Sequence, residues 1–154
     1  MAANNYAVSL LDLERSGEAE SLLRKVMPLA RRVLGDNDRL VFKMRWCYAE
    51  ALYKDDDATL DNLREAVTTL EDAERTARRV FGGAHPITEG IEYDLQDARA
   101  ALNAELRAAY KEDPSSLSAD DRARAEQLLA RDARKAAKKA ARRVSSETPS
   151  PGTA

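Results

Sequence analysis

The chain has 154 residues, enough for one modest domain with a hydrophobic core, and its formal net charge is −2. Hydrophobic residues make up 44% of it and charged residues 34%, whereas aromatic residues contribute only 5%. This composition excludes a protein that binds through overall charge, and it argues against a β-rich fold. The single Cys47 excludes an internal disulfide framework, and no apolar run approaches membrane-spanning length. We therefore expect a cytoplasmic protein, with a nuclear location through its basic residues as the alternative.

Five amphipathic helices are predicted along the first two thirds of the chain, so the expected fold class is all-α. The first covers residues 2–13. The second has apolar residues at i, i+3 and i+4 over residues 19–34, and the third follows over residues 40–52. The fourth, over residues 63–81, stops at a glycine pair, and the fifth is predicted over residues 86–110.

Composition changes sharply after residue 112. Residues 1–112 hold 16 Lys/Arg against 21 Asp/Glu, a net charge of −5, whereas residues 113–154 hold 9 against 6, a net charge of +3. We assign residues 1–112 to helical repeats and residues 113–117 to a linker. A charged basic helix is predicted over residues 118–144, and a disordered tail rich in Ser, Thr, Pro and Gly over residues 145–154.

One helix-turn-helix unit occurs twice. A shift of 47 positions matches Ala19 with Ala66, Leu23 with Leu70, Ala30 with Ala77, Val33 with Val80 and Gly35 with Gly82. In the first helix of each unit the shift is 42, and it matches Tyr6 with Tyr48, Ala7 with Ala49 and Leu10 with Leu52. The five-residue difference falls in the turn after Lys54, where an insertion is tolerated.

The repeated residues resemble the kinesin light chain type of tetratricopeptide repeat. The resemblance lies in Asn4-Asn5-Tyr6-Ala7, in residues 17–23 and in Arg32-Val33-Leu34-Gly35. Residues 80–86, Val-Phe-Gly-Gly-Ala-His-Pro, are similar to that family's Leu-Gly-x-x-His-Pro turn. The resemblance covers residues 2–102. It implies a short α-solenoid whose first helices line a concave groove that holds a peptide or a helix of another protein.

The resemblance also places one side of each first helix in that groove. Helical spacing agrees for Lys43, Trp46, Glu50 and Tyr53, which lie at i, i+3, i+7 and i+10 and therefore share one face. Trp46 is the only tryptophan, and aromatic anchors dominate interface energies. The alternative is that Trp46 fills space between neighbouring helices. The predicted groove residues are Asn4, Val8, Lys43, Trp46, Glu50, Tyr53, Tyr93 and Asp97.

Residues that could carry chemistry have simpler structural interpretations. His85 is the only histidine and lies in a repeat turn, and Cys47 lies beside an apolar stripe as a small buried thiol would. The run of residues 55–57, Asp-Asp-Asp, lacks the glycine and the spaced ligands of a calcium loop. We predict no enzyme, no catalytic residue, no bound metal and no cofactor.

A basic segment near the C-terminus lies outside the repeats. Its residues are Arg131, Arg134, Lys135, Lys138, Lys139, Arg142 and Arg143. It could contact nucleic acid or an anionic surface, or serve as a nuclear localisation signal. No aromatic residues alternate with the charges, so a solvated helical tail is the favoured interpretation and nucleic acid is a disfavoured partner.

A third interpretation follows from the shortness of the array. The first predicted helix begins almost at Met1, and fewer than three full repeats bury little continuous core. The chain could therefore be a fragment of a longer repeat array without independent function. The same shortness of the array leaves open that copies of the chain associate with one another.

Overall fold

The computed structural model describes residues 2–147, and the side chains as far as Arg142. Within this range the fold is all-α, as the sequence predicts. The helices are α1 (Ala2–Asp12), α2 (Ser16–Leu34), α3 (Arg39–Tyr53), α4 (Leu60–Phe81), α5 (Pro86–Glu112) and α6 (Ala119–Glu147), with a short 3-10 turn at Pro114–Ser116. None of the described helices combines the length and the apolar character needed to span a membrane.

The two repeat joints end their helices in the same way. Gly35 and Gly82 follow α2 and α4 with φ of 87° and 89°, a left-handed conformation that favours glycine. After the first joint, the Asp38 carboxylate accepts a hydrogen bond from the Leu40 amide at 2.7 Å and caps the start of α3. At the first joint, the helix stop followed by a new cap fixes where the first hairpin ends and the second begins.

The first four helices pack as two successive hairpins. Helix α1 packs on α2 and α3, α2 packs on α3, and α3 packs on α4. Leu23, Leu52 and Leu70 are fully buried between them, and each such side chain contributes roughly 1.5–3 kcal/mol of hydrophobic stabilisation. At the second joint, the Phe42 and Phe81 rings meet edge to face with centroids 5.2 Å apart.

The chain divides into two compact units, Met1–Leu102 and Asn103–Ala154. The predicted boundary at residue 112 coincides with the end of α5, whereas the units divide within that helix. In the second unit, polar contacts join α6 to the last part of α5. These contacts are Arg107 Nε to the Asp132 carboxylate at 2.8 Å, and the Tyr110 hydroxyl donating to Glu126 at 3.0 Å.

The C-terminal helix is longer than the sequence analysis predicted. Helix α6 continues to Glu147, so residues 145–147 are helical where a disordered tail was expected. The physical reason is that serine disfavours a helix only mildly and glutamate favours one, and the next proline comes at Pro149. The rest of the predicted tail, residues 148–154, lies outside the described residues.

Candidate functional site

Trp46 contacts the fifth helix. Its indole N–H donates a hydrogen bond to the carboxylate of Asp94, which is buried in the middle of α5. The ring lies against Gly90, where an added Cβ would come closer than 3.0 Å to three of its atoms. Trp46 therefore fills space between α3 and α5, as the alternative interpretation held. The residue is also half-buried, so part of its ring remains open to solvent.

Next to Trp46, charged and aromatic side chains of α3 and α5 form what we call the α3–α5 cluster. Its members are Trp46, Glu50, Tyr53, Lys54, Asp94 and Asp97. Lys54 Nζ pairs with Glu50 at 2.5 Å and lies 5.9 Å from the centroid of the Tyr53 ring. Burial, followed by the charge of the nearby Asp94, raises the pKa of Tyr53, whose hydroxyl is buried beside that carboxylate.

The four other predicted groove residues differ in exposure. Lys43 is exposed on α3, and Tyr93 is 66% exposed on α5. Val8 is exposed on α1, whereas Asn4 on the same helix is buried and its side-chain oxygen lacks a partner within the described part of the chain. The structure thus brings Trp46, Glu50, Tyr53 and Asp97 together.

A cleft of about 600 Å³ adjoins the cluster and shares Glu50 and Lys54 with it. Residues from the end of α1 and from the turn after α3 line its walls. Its carboxylates are Asp12, Glu14, Glu50, Asp55, Asp56 and Asp57. We call this feature the acidic cleft. Lys54 contributes its only lining ammonium group, so the local field favours a cationic occupant.

His85 and Cys47, considered above as possible catalytic or metal-binding residues, have structural surroundings. The His85 ring stacks on Phe81 with centroids 4.8 Å apart, and its Nδ1 accepts a hydrogen bond from the Ile87 amide at 3.1 Å. Burial raises the pKa of the Cys47 thiol to about 11, so almost none of it is thiolate near neutral pH. No group of three or more His, Cys, Asp or Glu among the described residues is arranged to hold a metal ion.

The basic segment lies on the exposed second half of α6. Arg131, Lys135, Lys138 and Arg142 are spaced at i, i+4, i+7 and i+11, which puts them on one helix face. Arg134 and Lys139 flank this face, while the side chain of Arg143 lies outside the described residues. None of the six described cations forms an ion pair with another described residue.

Sequence reasoning missed the partners of Trp46. Asp94 lies inside the apolar stripe of α5, next to Ile91 and Leu95, where an acidic residue is a signal of a buried polar contact. Gly90 lies inside the same helical pattern, where an isolated glycine can indicate close approach of another group. Both signals are present in the sequence, but neither identifies Trp46 as the group that approaches.

Comparisons with protein-family models, with curated proteins and with solved structures found no significant match to this chain. The resemblance to tetratricopeptide repeats therefore stays a prediction from the residues that carry it.

Proposed function

We propose that residues 2–102 form a tetratricopeptide-like array that binds a peptide or a helix of another protein along α1, α3 and α5. The observation that carries the proposal is the α3–α5 cluster with the acidic cleft beside it. Aromatic side chains and an excess of carboxylates over ammonium groups occur together on one surface. Such a surface offers both anchoring area and polar groups that a bound segment can satisfy.

The partner segment is expected to be basic. Within the α3–α5 cluster, three carboxylates face one ammonium group, and the acidic cleft adds five further carboxylates. Lysine or arginine side chains of a partner would form ion pairs with these carboxylates, and the negative field would raise the association rate. The exposed parts of Trp46 and Tyr93 would supply the apolar contact. Binding should therefore weaken as salt concentration rises, because exposed charges are screened.

Affinity capture followed by mass spectrometry tests the proposal. The groove variant carries Tyr93→Ala and Asp97→Lys, two exposed positions whose replacement leaves the packed core intact. The control variant carries two changes at exposed positions of α4, Arg79→Glu and Val80→Ala. Proteins captured by the wild type and the control but lost by the groove variant support the proposal. Equal capture by all three contradicts it.

A second candidate function is binding of nucleic acid or another polyanion through α6. The observation that favours it is the exposed cationic face of Arg131, Lys135, Lys138 and Arg142, which forms no ion pair with a side chain that the structure describes. Phosphate contacts would give a steep loss of affinity with salt. This candidate is tested by measuring affinity for generic DNA at increasing salt, for the wild type and for the variant Lys135→Glu/Lys138→Glu. Absence of binding at moderate salt excludes this candidate.

A further inference from the structure

The second half of α6 separates its charged and uncharged residues onto two sides of the helix. At 3.6 residues per turn, all cations between positions 131 and 142 fall within an arc of about 140°, which we call the cationic arc. Its members are Arg131, Arg134, Lys135, Lys138, Lys139 and Arg142. The rest of the circumference carries one acid and an alanine side, made of Ala133, Ala136, Ala137, Ala140 and Ala141.

The single acid of this segment does not neutralise the cationic arc. Asp132 lies outside the arc and pairs with Arg107 of α5, with 2.8 Å between its carboxylate and the arginine Nε. None of the six cations forms an ion pair with a residue that the structure describes. Part of the arc also lines a recess of about 410 Å³, to which Arg131, Arg134, Lys135 and Lys138 contribute. The segment therefore presents unneutralised positive charge on one side.

The uncharged side of the segment argues against a membrane surface as the ligand. Helices that lie on membranes insert large apolar or aromatic side chains opposite their cations. Between positions 130 and 142, α6 has no apolar residue larger than alanine. The whole helix also lacks aromatic residues, on which the bases of a single strand would stack. The arc thus fits a ligand that is recognised by its charge and shape.

Duplex DNA matches the cationic arc in length and in charge. Residues 131–142 extend over about 17 Å of helix axis. A DNA duplex carries about ten phosphate charges over the same length, at roughly one per 1.7 Å. The major groove of B-form DNA admits an α-helix, whereas that of duplex RNA is too narrow for side chains to read. Long side chains at both edges of the arc can therefore reach phosphates while the alanine side faces solvent.

We propose that the cationic arc binds double-stranded DNA along its phosphate backbone, with α6 remaining helical and using this one side. The inference rests on the second candidate function, and it adds the class of nucleic acid and the side of the helix that makes the contact. Because lysine and arginine are the only charged groups on the arc, binding should be steeply salt-dependent.

Binding should also make this part of α6 harder to open. No side chain is buried between positions 130 and 142, so packing does not support the helix there. Like charges lie four positions apart at 131 and 135, 134 and 138, 135 and 139, and 138 and 142, and such pairs destabilise a helix. Phosphates along the arc would offset this repulsion. Amide hydrogen exchange of residues 131–142, followed by mass spectrometry, should therefore slow when a DNA duplex is added.

A rearranged variant tests whether the arc, rather than the amount of charge, binds DNA. The changes Lys135→Ala, Ala136→Lys, Ala137→Lys and Lys138→Ala move two lysines to the alanine side and keep the composition and net charge. Both residue types favour a helix, and circular dichroism verifies that helicity is kept. Fluorescence anisotropy with a short labelled duplex measures affinity at successive salt concentrations. The variant should bind at least about tenfold more weakly, and the slope of log affinity against log salt should be shallower by about 1.8, the value for two phosphates.

The outcomes separate this inference from the candidate function on which it rests. Equal binding by the wild type and the rearranged variant, or unchanged hydrogen exchange with saturating duplex, overturns the helical arc and leaves DNA binding in place. A wild type that does not bind at moderate salt removes both. The competitors are an unlabelled DNA single strand and vesicles of phosphatidylserine and phosphatidylcholine. If either displaces the labelled duplex as well as unlabelled duplex does at equal phosphate concentration, duplex DNA is the wrong ligand.

Discussion

The indole N–H of Trp46 donates a hydrogen bond to the Asp94 carboxylate, and this contact joins α3 to α5 across 48 positions of sequence. Asp94 is buried, where a polar group without a hydrogen-bond partner is costly. The same tryptophan is half-buried and lies beside Tyr53 and Glu50, at the surface that we propose as a binding groove. One residue thus helps to fix the spacing of two helices and presents aromatic area between them.

Replacing Trp46 with phenylalanine should remove the hydrogen bond to Asp94 and keep most of the aromatic contact. The variant loses the N–H, leaves the buried Asp94 carboxylate without that partner, and should lose about 1–3 kcal/mol of unfolding free energy. Urea unfolding followed by circular dichroism measures the change. Tyr93→Phe, at an exposed position of α5, is the control and should change stability by less than about 0.5 kcal/mol. Equal stability of wild type and Trp46→Phe would show that the hydrogen bond does not stabilise the fold.

A methyl group at position 90 should push α5 away from α3. The new Cβ of Gly90→Ala would overlap the Trp46 ring, and overpacking of this kind costs about 1–3 kcal/mol. The matched control is Gly17→Ala in α2, where the nearest atom to an added Cβ is 4.0 Å away. Alanine favours helix over glycine, so the control should be neutral or slightly stabilising. Thermal unfolding compares the two, and a Gly90→Ala variant as stable as the wild type would contradict the close contact.

Stability should fall at alkaline pH, partly because of Tyr48. Burial, followed by the hydrogen bond to Glu65, raises the pKa of Tyr48 to about 12 from an ordinary value of 10.0. Between these two values the folded state holds a proton that the unfolded chain has lost, so unfolding free energy decreases as pH rises. Tyr48→Phe removes this contribution and should therefore show a shallower decline over that range than the wild type. Urea unfolding at successive pH values measures both slopes, and parallel slopes would contradict the raised pKa.

Cys47 should react slowly with iodoacetamide while the protein is folded. Burial raises the pKa of its thiol from an ordinary 9.0 to about 11, which reduces the thiolate fraction at pH 8 about a hundredfold. Mass spectrometry of the alkylated chain gives the rate in buffer and in urea, where the thiol is unshielded. Similar rates in the two conditions would show that Cys47 is not buried on α3.

The helices could be predicted from the sequence because their signals are local. The apolar stripe of residues 19–34 followed by Gly35 predicts both the body and the end of α2, and the same pattern before Gly82 predicts α4. The end of α6 could not be predicted, because Ser145, Ser146 and Glu147 do not exclude either helix or coil.

The site was predicted less completely, because its contacts join residues that are distant in sequence. Helical spacing places Trp46, Glu50 and Tyr53 on one face, but it does not show that Asp94 lies beneath the indole. The sequence shows only that residues 55–57 lack the pattern of a calcium loop. Their meeting with Asp12 and Glu14 depends on how α1 packs against α3, and periodicity does not give that information.

The central claim is that a partner protein binds along α1, α3 and α5, the first helices of the repeat units. Photo-crosslinking from defined positions tests this claim most directly. A photoreactive benzoylphenylalanine replaces Tyr93, which is exposed beside the α3–α5 cluster, and in a second protein it replaces Val80, exposed on α4. We predict that the captured partner crosslinks from position 93, that the product decreases with rising salt, and that position 80 gives none. A partner that crosslinks from position 80 but not from position 93 would contradict the claim.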